Sequence, residues 1–185
     1  MRVHPRSLAA TAWLGVGLLT ACAVDAPPLE TATPAPYRLG SGDVVQLAVF
    51  GDPTISGNYR IDDTGRISVP LAGAVELGGR TLREGEQAIS QRMRAEGVLT
   101  DPRISLNIQE YRNVFVMGEV QRGGGFQYSP GMTAYQAIAL AGGYSPRARR
   151  EVILVTRAGT AGERRASGDT TLQAGDVVTI PERWF

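Results

Sequence analysis

The sequence predicts an α+β chain of two small units carried on a leader and a spacer, and three observations support this. Apolar runs of strand length recur between residues 44 and 180, and capping boxes at Thr81 and Thr133 mark two helices. The stretch ahead of Tyr37 has the composition of an address followed by a tether. Residues 37–185 are enough for one ordinary domain or two small ones, and the pattern favours two.

The leader comes first. Met1 to Arg6 carries Arg2 and Arg6, Leu8 to Ala21 is uncharged, and small residues precede Cys22, the layout of a secretory signal. The run is too short for a membrane span. Leu19-Thr20-Ala21-Cys22 resembles the bacterial lipobox. That resemblance implies a diacylglyceryl thioether on Cys22, cleavage after Ala21, and acylation of the new amine. Ala23 rather than aspartate after the cysteine resembles the outer-membrane sorting signal. An ordinary signal peptide with a chance cysteine is the alternative. Residues 1–21 are therefore assigned as lipoprotein signal and 22–36 as lipidated tether.

Composition removes several chemistries. The one histidine, His4, lies in the segment to be cleaved, so the mature chain has no imidazole for base catalysis or metal ligation. All nineteen basic residues are arginines, which leaves no lysine for Schiff bases or phosphate loops. Capping Cys22 removes thiol catalysis, cysteine-containing zinc sites and disulfides, leaving an all-carboxylate site for a hard cation as the one metal option. Without Arg2 and Arg6, seventeen arginines face eighteen acids, a charge of −1 that gives no global attraction for nucleic acid.

Asp25 to Pro36 reads DAPPLETATPAP, with four prolines and no aromatic residue. It is an extended tether that reaches roughly 35 Å at about 3.1 Å per residue in the polyproline conformation. A spacer with no distance requirement is an equal alternative.

In the first unit, Val44 to Phe50 is bounded by Ser41-Gly42-Asp43 and Gly51-Asp52-Pro53 and predicts a buried strand. Asp62-Asp63-Thr64-Gly65 separates Tyr59-Arg60-Ile61 from Arg66 to Val69, which predicts a hairpin. Thr81 with Glu84 starts a helix that carries Leu82, Ile89 and Met93 on one face and ends near Gly97. Ile104, Leu106 and Ile108 then alternate with polar residues as a half-buried strand.

The second unit opens with a ribbon from Val114 to Gly118, through Gly123-Gly124-Gly125, to Phe126-Gln127-Tyr128. Thr133 and Gln136 cap a short helix with Tyr135, Ile138 and Ala141 on one face, and Gly142-Gly143 ends it. Val152 to Thr156 and Val177 to Ile180 are strands, with Gly159 to Gly168 a polar excursion between them. A β-rich unit with one helix across its sheet is a ubiquitin-like, β-grasp pattern.

Gly42-Asp43-Val44-Val45 recurs as Gly175-Asp176-Val177-Val178. Each copy enters a strand from a turn, where glycine relaxes φ and aspartate accepts bonds from nearby amides. A pair of such acids is also the minimum for glycoside hydrolysis, but loop carboxylates carry no distance information and that reaction needs specific separations.

Tyr37 to Asp43, the strand ending Val49-Phe50-Gly51, and Asp63 to Gly73 resemble the polysaccharide export domain. Val116 to Val120, Tyr128 to Thr133, Ala137 to Gly143 and Leu172 to Glu182 resemble the soluble-ligand-binding β-grasp domain that follows it in outer-membrane polysaccharide export proteins. The resemblance divides the chain into an export domain over 37–111 and a β-grasp domain over 112–185. It implies a periplasmic, outer-membrane lipid-anchored subunit of a capsular polysaccharide or exopolysaccharide exporter, assembled as a homo-oligomeric ring. It further implies transport of polysaccharide without catalytic residues, metal or cofactor, and a partner in an inner-membrane copolymerase, sometimes fused to a tyrosine kinase. Well-known members add further β-grasp repeats and a membrane-crossing helix after this point. Their absence from Pro181 to Phe185 leads to the expectation of a short type that feeds a separate outer-membrane β-barrel. The rival reading is a lipid-anchored ligand-binding module, with a carbohydrate-active enzyme third.

Arg147, Arg149 and Arg150 follow the glycine stop, with Arg164-Arg165 in the later loop. A solvated charged face is the ordinary reading of such a cluster. Its functional alternative is bonding to acidic sugars or to a neighbour's carboxylates, which the planar guanidinium suits. Tyr111, Tyr128, Tyr135 and Tyr144 are either core and interface residues or sugar-stacking rings. Trp184 and Phe185 are an interfacial anchor, a protomer contact, or the end of the core.

Overall fold

The computed structural model describes residues 36–184; the leader, Cys22, most of the tether and Phe185 lie outside it. The chain runs β1 (Val44–Val49), β2 (Gly57–Arg60), β3 (Arg66–Val69), β4 (Gly73–Glu76), α1 (Leu82–Ala95), β5 (Ile104–Glu110), β6 (Val114–Gly118), β7 (Gly124–Phe126), α2 (Ala134–Leu140), β8 (Ile153–Thr156), β9 (Arg164–Ala166) and β10 (Val177–Ile180). This is the mixed α+β architecture expected, with two hydrophobic cores.

The first core lies between an antiparallel β2-β1-β5 sheet, a β3-β4 hairpin and α1. Val45, Leu47 and Val49 point inward while Gln46 and Ala48 face out, so β1 is a half-buried central strand and not the fully buried one its apolar run suggests. The anticipated hairpin across Asp62–Gly65 does not form a ladder: β2 pairs with β1, and β3 pairs with β4. The turn itself is there, with Asp62 Oδ1 accepting the Thr64 and Arg66 N–H groups and Gly65 at φ +79°. It hands the chain from one sheet to another, an outcome that turn chemistry alone does not distinguish from a hairpin. Thr81 and Glu84 complete their capping box, and Ile89 and Met93 are fully buried. Arg92 Nε ties α1 to the β3-β4 hairpin through the Ala72 carbonyl at 3.0 Å.

The second core lies under a five-stranded sheet of order β7-β6-β10-β8-β9, in which β6 and β10 are parallel and the other pairs antiparallel. First and last strands side by side at the centre, with a helix packed on the sheet, is the β-grasp arrangement. The buried side of α2 is Ala134, Ala137 and Ile138, continued by Ala141. Tyr135 is half exposed instead of sharing that face, because the i, i+3, i+4, i+7 stripe starts at Ala134. The polar excursion contains an edge strand, so Arg164 and Arg165 sit on β9 and not in a loop. Gly118, at φ +84°, lies so close to the Ile180 carbonyl that a Cβ there would collide with it.

Candidate functional site

The arginine cluster is assembled where α2 stops. Gly142 and Gly143 both take positive φ, and the chain turns back so that Tyr144 bridges Val120 and the Gln121 N–H reaches the Gly143 carbonyl. The next segment runs against the end of β10, with Ala148 bridging Glu182 and the Arg149 N–H on the Pro181 carbonyl. This places Arg147 3.9 Å from Glu119 and 3.4 Å from Glu182. Ser145 Oγ also bonds Glu119 closely. Arg149 turns to Glu151 at 3.0 Å, and Arg165 on β9 donates to the Glu151 carbonyl. Arg150 lies over the Tyr144 ring at 5.9 Å. Burial raises the Tyr144 phenol pKa, and its hydroxyl is enclosed without a hydrogen-bond partner.

The structure thus joins Tyr144 to Arg150, and Arg147 to two acids. Arg147 keeps about two thirds of its side chain exposed, so its guanidinium can still meet a carboxylate from outside. Tyr111 and Tyr128 are not part of this surface. They form an edge-to-face chain with Tyr37, with centroids 5.0 and 5.5 Å apart, and Tyr128 is buried with its hydroxyl on the Leu172 carbonyl. Trp184 is 90 % exposed and does not finish the core.

A second constellation lies between the two cores. Asp43 and Asp176 are the fully buried charged residues among those described, and each closes the same turn. In Leu39–Asp43 and Leu172–Asp176 the leucine is buried, the N–H of the following residue donates to aspartate Oδ2 at 2.8 Å, and the aspartate N–H returns to that residue's carbonyl. Gly42 and Gly175 supply φ of +93° and +88°. Arg112 lies between these turns. Its N–H and Nη1 donate to Asp43 at 2.8 and 3.0 Å, Nη1 also reaches the Tyr37 hydroxyl, and Nε donates to the Ala174 carbonyl at 3.0 Å. A Cβ on Gly40 or Gly175 would run into this guanidinium. Burial, then the bond to Asp43, pushes the Tyr37 phenol far above its ordinary range.

Asp176 is less well satisfied. Burial raises its carboxyl pKa from the ordinary 3.8, opposed by the Gln173 N–H and by Arg157 at 3.6 Å. The folded state therefore holds this proton to higher pH than the unfolded chain does. Stability from this group is full at acid pH and declines as pH climbs from the ordinary carboxyl value through the folded one. Arg157→Met raises the folded pKa further, so its loss in urea midpoint is expected to be larger at neutral pH than near pH 3.8. Equal losses at both would show that Arg157 acts by packing alone.

Residues 31–109 match the family described as polysaccharide biosynthesis/export protein, and residues 113–167 match the SLBB domain. The chain carries a polysaccharide biosynthesis/export domain followed by an SLBB domain. It is similar to the exopolysaccharide production protein ExoF of Rhizobium meliloti (strain 1021), at 32% identity over 69% of this chain and 32% of the relative. It is also similar to the EPS I polysaccharide export outer membrane protein EpsA of Ralstonia nicotianae, at 30% identity over 63% of this chain and 36% of the relative. The chain spans about a third of the length of these curated relatives.

Arg112 falls between the export and SLBB matches, so the two matched domains meet at this side chain. Sequence reasoning found both Gly-Asp turns but missed Arg112, since nothing in the Tyr111-Arg112-Asn113 spacing pairs it with residues 69 positions away. Among the described residues there is no group of three or more histidine, cysteine or acidic side chains placed to hold a metal ion.

Proposed function

We propose that this chain is a periplasmic, lipid-anchored subunit of a capsular polysaccharide or exopolysaccharide exporter. The observation that carries the proposal is the ordered pair of export and SLBB domains, together with relatives named for exopolysaccharide production and export. In this reading Cys22 holds the chain to the outer membrane, protomers assemble as a ring, and an inner-membrane copolymerase delivers polymer to its periplasmic side. In the same reading, passage through the outer membrane belongs to a separate β-barrel.

The junction supports the reading physically. A ring needs protomers whose two domains keep one angle, and Asp43, Arg112 and Tyr37 pin that angle through buried, charge-assisted bonds. The exposed side of Arg147 and the Arg150–Tyr144 pair are the candidate contacts for acidic sugars or for a neighbour's carboxylates.

Light scattering of the detergent-extracted, acylated protein tests this. A closed oligomer many times the protomer mass is expected, together with periplasmic accumulation of polymer in a deletion strain. A strict monomer at high concentration, in a strain that still secretes normally, would leave the monomeric ligand-binding module as the better account.

A further inference from the structure

The outward face of the β2-β1-β5 sheet has no role in either constellation above. Gln46 pairs with Asn58 on one side and Asn107 on the other, while Ala48 pairs with Ser105, and all five residues are exposed. Side chains directly opposite on one face lie about 5 Å apart, so three uncharged amides cross the sheet as one row. Phe50 follows at the end of β1, 81 % exposed, with its N–H fixed on the Arg103 carbonyl at 2.9 Å. A shallow, open depression of about 680 Å³ lies beside it, lined by Ala48, Phe50, Asp52, Pro53, Arg103 and Ser105 among others.

A lone exposed phenylalanine is ordinary on a protein surface. Here the ring stands at the rim of that depression beside a row of groups that both donate and accept hydrogen bonds. Sugar hydroxyls also do both, and the C–H face of a pyranose packs on the negative face of an aromatic ring. The charges match a neutral ligand: one arginine, Arg103, and one acid, Asp52, line the depression, and Arg60 pairs with Glu110 at 3.8 Å at the far end of the row.

We infer that this face of the export domain binds an uncharged hexopyranose segment of a glycan. Phe50 stacks on one ring, and Gln46, Asn58 and Asn107 bond the hydroxyls of the next. The inference rests on the export reading for the presence of polymer, and adds a contact surface on the first domain, away from the arginines of the second. An open row of amides without a closing lid binds weakly and releases readily, as a conduit requires.

Saturation-transfer NMR on the full acylated chain in lauryldimethylamine oxide, a detergent without sugar, tests it with cellohexaose, laminarihexaose and maltohexaose. Wild type is compared with Phe50→Ala, with Gln46→Ala/Asn107→Ala, and with Arg147→Ala/Arg150→Ala; Phe50, Gln46 and Asn107 are exposed, so their variants keep the fold. At least one hexaose is expected to bind, weakened tenfold or more by the first two variants and not by the arginine pair. Binding of none of the three, an unaffected Phe50→Ala, or a loss confined to the arginine pair overturns the inference. So does a Phe50→Ala chain that changes oligomer mass while sugar binding stays the same, which would assign the face to a second copy. Export is read separately, by restoring secretion in the deletion strain. Secretion without hexaose binding sinks this site alone, and hexaose binding without restored secretion sinks the exporter and keeps the site.

Discussion

An Asp43→Ala chain is expected to melt about 10 °C below the parent. Breaking a buried, hydrogen-bonded ion pair from one side typically costs about 3–5 kcal/mol, because the remaining partners stay buried without their acceptor. At this chain length each kcal/mol moves the midpoint by about 2–4 °C. Asp43 is fully buried and accepts from the Gly40 N–H, the Tyr37 hydroxyl, and both the main chain and side chain of Arg112, so four donors are orphaned together. Arg112→Ala should fall in the same direction and also release the Ala174 carbonyl. Glu151→Ala, at an exposed ion pair, serves as the control and should leave the midpoint unchanged. A shift below about 2 °C for Asp43→Ala would mean that the edge-to-face tyrosines and the Arg112–Ala174 bond suffice to hold the two domains together.

Most elements were legible because their signals are local. Both capping boxes place a hydroxyl and a carboxylate or amide three residues apart, and both helices start where those pairs stand. The β5 alternation follows from apolar patterning, and the β-grasp pattern anticipates a sheet crossed by one helix, while the parallel β6-β10 pairing at its centre emerges only in the fold. What failed was partner choice. The Asp62 turn is the one its sequence promises, but the pairing of β2 with β1 is set by the first core, on which Tyr59 alone of β2 packs, and not by the turn. β9 was hidden because a three-residue Arg-Arg-Ala segment carries no apolar alternation, and it pairs along the edge that β8 offers.

The sites divide in the same way. Gly-Asp repeats are visible as turns, but a turn aspartate in solvent and one sealed between two cores have the same sequence. Burial turns Asp43 from a loop-forming residue into the centre of a junction, and the residue that completes it belongs to neither repeat. The arginine cluster was visible as composition. Only the fold shows that Glu119, Glu151 and Glu182 neutralise part of it, leaving Arg147 and Arg150 as the members with a face towards solvent or a ring.

A Cys22→Ser chain exported on a leader that is cleaved independently of Cys22 is expected to leave the membrane pellet for the soluble periplasmic fraction, and polymer secretion to fall with it. Each buried methylene contributes about 0.8 kcal/mol, so one acyl chain gives marginal attachment and two or more give a stable anchor. The apolar run before Cys22 is shorter than the about twenty residues of a span, the charge after cleavage is −1, and there is no polybasic stretch to hold an anionic surface. If the serine variant stays in the pellet after a carbonate wash, Cys22 is not the anchor. If it is released but still sediments as a large oligomer, self-assembly resides in the folded domains and the lipid serves to place the ring. Release as a monomer would show instead that the membrane supplies the local concentration that closes it.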